Sequence, residues 1–146
     1  IHPLLDPNWI AGPVSEALVN EAEQAVGVPF PPSYRAFLLS FGAARCGELM
    51  IYGIDPNYTD DSRPPLFSNV AQVHRQIRRY TFGRLPESLI NISHDGTDFA
   101  FSIDTTVQRA DGENPVIVLG PGRDGNRLAD SFLHFLQLSH AEHLLF

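Results

Sequence analysis

The residues with the most evident chemical potential lie in one short segment, His94-Asp95-Gly96-Thr97-Asp98. An imidazole and two carboxylates beside a glycine could bind a divalent metal ion or act as an acid–base pair. A metal site would need further ligands from elsewhere, and Asp104 lies at the far end of the following strand, too distant to help. The same residues could instead form the tip of a β-hairpin, and the choice decides whether the chain is a candidate enzyme.

The local pattern favours the hairpin. Asp-Gly is a preferred pair for the central positions of a type I′ turn, where both residues have positive φ. The flanking segments 89–93 and 99–103 alternate between apolar and polar residues, as strands do. In this register Thr97 lies opposite His94 and Asp98 begins the return strand, so a His94–Asp98 pair would be a weak surface pair. We therefore assign no catalytic residue, no metal ligand and no cofactor.

A second motif, Gly120-Pro121-Gly122-Arg123-Asp124-Gly125, matches the G-x-G-x-x-G pattern of dinucleotide-binding loops. Asp124 would bring negative charge to a pyrophosphate, and Pro121 removes one of the backbone N–H donors that such a loop needs. We interpret the segment as a connection between a strand and a helix.

Two further groups of residues have simple structural explanations. The segment His140-Ala141-Glu142-His143 is one residue shorter than the zinc motifs H-E-x-x-H and H-x-x-E-H, and a solvated helix end is the simpler interpretation. Cys46 is the only cysteine, and its small neighbours predict a buried structural thiol. One cysteine allows no internal disulfide and is typical of a reducing compartment, so we expect a cytoplasmic protein.

Composition and charge limit the function classes. The chain has 146 residues and 43% hydrophobic content, which is typical of one globular domain, and we assign 1–146 to it, with a core at about 15–138. Seventeen acidic and 10 basic residues, all arginine, give a net charge of −7. This charge argues against nucleic acid as the direct ligand and favours plain solubility or a basic partner. No run of residues is long and apolar enough to span a membrane, and no signal peptide is visible in a sequence that begins with Ile1, which leaves open whether a leader was removed.

Periodicity predicts the elements that position these residues. Residues 1–14 form an irregular lead-in. Helices are predicted at 16–26, 31–41 and 70–80, with a last helix that begins at about 128 and is capped by Asn126. Strands are predicted at 48–54, 89–93, 99–103 and 115–119. This order predicts an α+β fold, with N-terminal helices and a C-terminal helix packed against a mixed, largely antiparallel sheet.

Two helix faces can be assigned from the same pattern. In the first helix, which Ser15 should cap and Gly27 should end, Leu18 is placed on the apolar face. In the third helix, Arg75, Arg78 and Arg79 are placed on the solvent side.

Three segments carry a family resemblance. They are EAEQAVGVPFPPSYRAFLLSFGA at 21–43, RLPESLINISHDGTDFAFSID at 84–104 and ADSFLHFL at 129–136. They match "E..LG" with "LP..Y..FL..-NG", then "LP..LI.I" with a DG turn, and lastly "SF..FL". In this order they resemble the SUKH superfamily, which includes bacterial toxin-immunity proteins and the yeast cell-wall-assembly regulator. Phe41 stands where the family usually has Asn, and the resemblance covers about 15–138.

The resemblance implies the same α+β fold, no catalytic machinery, and neutralisation of a toxin, commonly a nuclease or deaminase, by direct binding. The matched residues are mostly core formers, so the resemblance transfers no partner-binding site. For that site the sequence offers an acidic loop and the hairpin rim, since Tyr is an efficient interface anchor and carboxylates attract a basic partner. The candidate residues are Asp55, Tyr58, Asp60, Asp61, His94 and Asp98. A solvated connector explains the loop equally well.

Two alternatives remain at this point. The first is a regulatory or scaffold module without a toxin partner, as in the yeast relative. The second is a small metal-dependent hydrolase that uses His94, Asp95 and Asp98. In each binding hypothesis we expect a monomer or a weak dimer and no membrane association.

Overall fold

The computed structural model describes residues 1–56 and 69–144. A short 3-10 turn at His2–Leu4 precedes the helices. The helices are α1 (Glu16–Val26), α2 (Pro32–Phe41), α3 (Val70–Tyr80) and α4 (Phe132–His140). The strands are β1 (Ala44–Cys46), β2 (Leu49–Ile51), β3 (Leu89–His94), β4 (Ala100–Asp104), β5 (Val116–Leu119) and β6 (Asn126–Ala129).

Two antiparallel sheets lie side by side. Strands β3 to β6 form a four-stranded sheet in chain order, and β1 and β2 form a two-stranded hairpin. The Tyr52 N–H donates to the Ile92 carbonyl at 2.7 Å, and the Ser93 hydroxyl donates to the Met50 carbonyl at 2.9 Å. The small hairpin is thereby attached to the edge of the larger sheet at β3, and the predicted α+β architecture is confirmed.

The ends of α1 and α2 follow from local sequence. The Ser15 side chain accepts a 3.3 Å hydrogen bond from the Leu18 N–H, and Gly27 ends α1 in the left-handed conformation at φ 89°. The buried face of α1 consists of Val19, Ala22 and Val26. Leu18, which was predicted to face the core, is 40% exposed, and the next residue, Val19, packs inward in its place.

The C-terminal part of the fold differs from the prediction. The G-x-G-x-x-G segment is a β-hairpin, not a strand-to-helix connection, since the Gly125 N–H donates to the Val118 carbonyl at 2.9 Å and β6 follows. Helix α4 begins only at Phe132, and Ser131, not Asn126, accepts the capping bond from His134. The prediction was wrong because Leu128 stands four residues before Phe132, a spacing that suits a helix, whereas pairing with β5 places Leu128 in a strand.

The N-terminal lead-in is more ordered than predicted. Its backbone pairs along β1, with hydrogen bonds from Ala11 to Ala43 and from Arg45 to Trp9. Leu5 and Val14 are buried in the hydrophobic core. The prolines suggested an irregular segment, but they do not prevent its backbone from pairing with β1. The residues between the prolines supply the N–H donors and carbonyl acceptors.

The centre of the core is aromatic. Tyr34 and Phe37 of α2, Phe132 and Phe135 of α4, and Phe101 of β4 are fully buried. The rings of Tyr34 and Phe132 meet edge to face with centroids 4.9 Å apart. The Tyr34 hydroxyl donates to the Tyr52 carbonyl at 2.7 Å, which ties α2 to the end of β2. No helix in residues 1–56 or 69–144 is long and apolar enough to cross a membrane.

One predicted surface residue is buried. Arg78 was placed on the solvent side of α3, but it is only 9% exposed. Its guanidinium donates to the side chain of Asn91 at 2.7 Å and to the carbonyls of Leu89 and Pro86. The spacing of the arginines in α3 could not predict that Arg78 is buried, because its hydrogen-bond acceptors belong to β3 and to the segment before β3.

Candidate partner-binding face

The β3–β4 hairpin ends in a loop that is longer than predicted. His94 pairs with Ala100, and the loop is closed by a 3.1 Å hydrogen bond from the Asp95 N–H to the Phe99 carbonyl. The hairpin is confirmed, but the type I′ turn is wrong: Gly96 has φ 83°, whereas Asp95 does not have positive φ. Consequently Thr97 does not lie opposite His94, and Asp98 belongs to the loop and not to the return strand.

The Asp95 carboxylate organises this loop. It accepts hydrogen bonds from the Thr97 N–H at 2.8 Å and from the Thr97 hydroxyl at 2.7 Å, which is the geometry of an Asx turn. Partial burial acts to raise the pKa of Asp95, but the Thr97 and backbone hydrogen bonds outweigh it and hold the pKa below its usual value. Asp95 is therefore a fixed negative charge at neutral pH.

His94 does not form an acid–base pair with its neighbours. Its Nδ1 accepts a 2.8 Å hydrogen bond from the Gly96 N–H, which places the proton of a neutral ring on Nε2. The exposed ring lies 5.9 Å from the ring of Tyr52, centroid to centroid. Both His94 and Asp98 are described residues, and no ion pair joins them. The imidazole thus has a local structural role at the hairpin tip.

A cleft of about 230 Å³ opens beside this hairpin. Three carboxylates from separate parts of the fold lie along it: Glu48 in the β1–β2 turn, Asp95 at the hairpin tip and Glu142 after α4. Leu49, Phe101 and Leu144 form its apolar lining, and Leu144 is the most exposed of the three. We call this feature, with its three carboxylates, the acidic cleft.

Close contact between the β1–β2 turn and α4 positions two of the three carboxylates. The Ser139 hydroxyl donates to the Cys46 carbonyl at 2.7 Å, and the Cys46 thiol contacts the Leu136 carbonyl at 3.2 Å. Gly47, at φ 61°, lies so close to the Ser139 backbone that a Cβ would overlap the Ser139 carbonyl. The turn and the helix end are thereby held together, and Glu48 and Glu142 both line the cleft at this contact.

Sequence reasoning missed Glu48 and Glu142 as binding candidates. They lie in different halves of the chain, and no local motif links them. The only local signal was Gly47, because a glycine between Cys46 and Glu48 suits a tight approach of two backbones.

The remaining predicted residues are separated from the acidic cleft or lie outside the described residues. Asp55 is half-buried near the start of α3, where its N–H donates to the Asn69 side chain at 2.9 Å. Met50 is hydrogen-bonded to Ser93, and Tyr52 is hydrogen-bonded to Ile92, which is farther along β3 from His94. The chain therefore runs away from His94 as it approaches Asp55, and the two residues are not brought together. Tyr58, Asp60 and Asp61 lie outside the residues that the structure describes.

Metal-binding and nucleophilic chemistry have little support in the geometry. In residues 1–56 and 69–144, no group of three or more His, Cys, Asp or Glu side chains could hold a metal ion. Helix α4 ends at His140, so the His140–His143 segment is not one helix face. Cys46 is buried as predicted, and burial raises the pKa of its thiol to about 11, so the nucleophilic thiolate is scarce at neutral pH.

Comparison with known proteins decides the family. The sequence pattern of the family described as "SUKH_5: SMI1-KNR4 cell-wall" matches residues 6–139. The chain belongs to the SUKH_5 family. The resemblance inferred from the three sequence segments is thereby confirmed, and the SUKH_5 match includes most of the lead-in that pairs along β1.

A solved structure shares the fold of this SUKH_5 chain. It is the crystal structure of a protein from Pseudomonas syringae pv. tomato, with a TM-score of 0.51 and 18% sequence identity. The alignment covers 79% of this chain and 76% of the other. At this identity the likeness concerns the fold alone. Among curated proteins, none matches the chain.

Proposed function

We propose that this chain is a non-catalytic cytoplasmic protein that binds and neutralises a toxin domain of the nuclease or deaminase type. The observation that carries the proposal is the acidic cleft, in which Glu48, Asp95 and Glu142 converge from three parts of the fold. Toxins that act on nucleic acids need positive surfaces to hold phosphates, and an acidic protein can occupy such a surface.

The electrostatics of the cleft suit a cationic side chain. Asp95 stays ionised because hydrogen bonds lower its pKa, and Glu48 and Glu142 are exposed. Leu144, which is half-buried at the cleft, would contact the methylene groups of a Lys or Arg while the acidic side chains meet its charge. The chain's net charge of −7 would also steer a basic partner and raise the association rate.

The residues proposed from the sequence extend this face. His94 and Asp98 are exposed at the rim of the same hairpin, so we propose that they contact the partner around the cleft. Asp55, Tyr58, Asp60 and Asp61 are also proposed to contact the partner. A binding function is favoured over hydrolysis because the His94 Nδ1 atom is already engaged by the Gly96 N–H.

The test begins with the gene immediately upstream of this chain's gene and uses the toxin domain that the proposal expects it to encode. Binding is measured by calorimetry at low and moderate salt, and protection is measured as growth of bacteria that express the toxin. In the variant Glu48→Gln/Asp95→Asn/Glu142→Gln, we expect the dissociation constant to rise at least about tenfold and its salt dependence to decrease.

A control variant removes the same charge elsewhere. Glu16→Gln/Asp111→Asn/Asp130→Asn changes three exposed carboxylates outside the cleft, and we expect binding within about threefold of the parent protein. If both variants lose the same affinity for the toxin, net charge alone explains the loss, and the proposed role of the cleft is contradicted. A neighbouring toxin that this chain neither binds nor inhibits would refute the immunity function.

A regulatory module without a toxin partner is the alternative function. The observation that favours it is the description of the family, which refers to the cell wall. Absence of a toxin gene beside this chain's gene, together with altered cell-wall composition when the gene is deleted, would support the alternative.

A further inference from the structure

A second surface with opposite character lies at the end of α3. Tyr80 and Phe82 expose 87% and 88% of their surface, the largest values among the exposed large hydrophobic residues of the described chain. Single exposed apolar residues are common, but two aromatic side chains in open solvent within three consecutive residues are unusual in a monomeric protein and typical of binding surfaces.

These aromatic residues are held outward by an ordered turn. The N–H groups of Phe82 and Gly83 donate to the carbonyls of Arg79 and Arg78, at 3.2 and 2.8 Å. Phe82 adopts the left-handed conformation at φ 55°, which is rare and unfavourable for a bulky residue. The buried guanidinium of Arg78 fixes the following segment by donating to the Pro86 and Leu89 carbonyls. The turn therefore presents Phe82 to solvent in a defined direction.

Arginines surround the two aromatic residues. Arg79 and Arg84 are exposed, and Arg75 lies one turn before Arg79. Within the described residues, none of these three guanidinium groups forms an ion pair. Among the described residues, acids near these arginines are Glu87, three residues after Arg84, and Glu21, which lines one cleft with Arg75 between α1 and α3. A local excess of positive charge in a chain of net charge −7 indicates complementarity to an acidic ligand.

A shallow groove completes the surface. It has a volume of about 460 Å³ and runs along one side of Ile77, Tyr80 and Thr81, with Arg79 at its border. The groove wall is almost wholly apolar. We call Arg79, Tyr80, Phe82 and Arg84, with this groove, the arginine–aromatic patch.

We propose that the arginine–aromatic patch docks an acidic segment of a partner protein, one that carries an apolar side chain between its carboxylates. The groove and the two aromatic rings would receive the apolar side chain, and Arg79 and Arg84 would pair with the flanking carboxylates. The patch precedes β3, and Asp95 of the acidic cleft follows it, so the length of this strand, roughly 20 Å, lies between the patch and Asp95. One molecule therefore offers two surfaces of opposite charge to two different ligands.

A protein ligand is favoured over a single-stranded nucleic acid. Aromatic rings with arginines also bind unpaired bases, but such sites lie in extended positive grooves. Here the positive charge is confined to the few residues around one turn, and the remainder of the chain is strongly acidic.

The test is an NMR titration of the full chain with a short synthetic peptide of glutamates around a central Leu-Leu pair. We expect shift changes at 75–84 and at the start of β3, and binding that weakens with salt. Tyr80→Ser/Phe82→Asn should raise the dissociation constant at least about tenfold. Asparagine is chosen at 82 because it tolerates the left-handed conformation. Arg79→Gln should also weaken binding, and Arg127→Gln, at an exposed arginine of β6, should not.

Several results would overturn the proposal. These are peptide shifts that lie outside the patch, equal binding of the same peptide with glutamine in place of glutamate, or tighter binding of oligothymidylate. A further contrary result could come from sedimentation. If the parent chain is a dimer and the Tyr80→Ser/Phe82→Asn variant is a monomer, the patch binds a second copy of this chain.

Discussion

The Arg78 guanidinium donates a 2.7 Å hydrogen bond to the side-chain oxygen of Asn91, and both side chains are buried. Asn91 in turn donates to the Ser102 hydroxyl at 2.7 Å, which extends the network across β3 to β4. Burial lowers the pKa of Arg78, and the negative charge of Glu87 opposes this effect. The network joins α3, the segment after it and the main sheet, so it supports both ends of the arginine–aromatic patch.

Removal of the Arg78 charge should be strongly destabilising. Arg78→Met leaves the buried Asn91 oxygen and the Leu89 carbonyl without this donor, and we expect the free energy of unfolding to fall by about 3 kcal/mol. The free energy of unfolding is measured by urea denaturation, with circular dichroism as the signal. Arg79→Met, at the exposed neighbour, should stay within about 0.5 kcal/mol of the parent protein. Equal stability of the two variants would show that the Arg78 network contributes little.

Stability should depend on the protonation of His74. Burial, and then the charge of Arg78, lowers its pKa from 6.5 to about 4. Between these two values the unfolded chain binds more protons than the folded chain, so acidification favours unfolding. The contribution is fully present above pH 6.5 and is lost as the pH falls toward 4, by up to about 3 kcal/mol.

The His74→Leu variant isolates this effect. Its stability should vary less with pH between 6.5 and 4 than that of the parent protein, as measured by urea denaturation at several pH values. His143→Gln, at an exposed histidine, should keep the parent's pH dependence. Parallel pH curves for His74→Leu and the parent would contradict the assignment.

The Cys46 thiol should be inert in the folded protein. Burial raises its pKa to about 11, so both access and ionisation limit its reaction with a disulfide reagent at pH 8. We expect slow labelling that accelerates on denaturation. In Thr97→Cys, an added thiol at the exposed hairpin tip should react rapidly in the native state while Cys46 stays slow. Two fast thiols in that variant would show that Cys46 is accessible.

Gly53 should tolerate no side chain. A Cβ there would overlap the Gly42 carbonyl and touch Leu38, so Gly53→Ala should cost more than about 3 kcal/mol or prevent folding. Soluble yield and the urea midpoint measure the effect. Gly122→Ala is the control, because its left-handed φ of 72° is strained but a Cβ meets nothing within 4 Å; a cost of about 1 kcal/mol is expected. Similar costs at both glycines would argue against close packing at Gly53.

Predictions from sequence were most reliable where a local rule acts alone. Ser15 and Gly27 bound α1 as expected, alternation located β3 and β4, and a continuous apolar run located β5. Errors arose where a distant partner decides. Leu128 fits a helix by spacing but lies in β6, and the Asp-Gly pair forms a longer loop because Thr97 bonds to the Asp95 carboxylate.

The sequence by itself determined the helices, the central strands, the family and the excess of negative charge, because periodicity, capping and composition are local properties of a chain. Only the tertiary structure decided which charges face solvent and which charges line a common cleft. Arg78 is buried because β3 supplies its acceptors, and Glu48 and Glu142 line one cleft because Gly47 contacts Ser139. Such contacts between distant parts of the chain depend on long-range packing, and the pattern of a single segment cannot predict them.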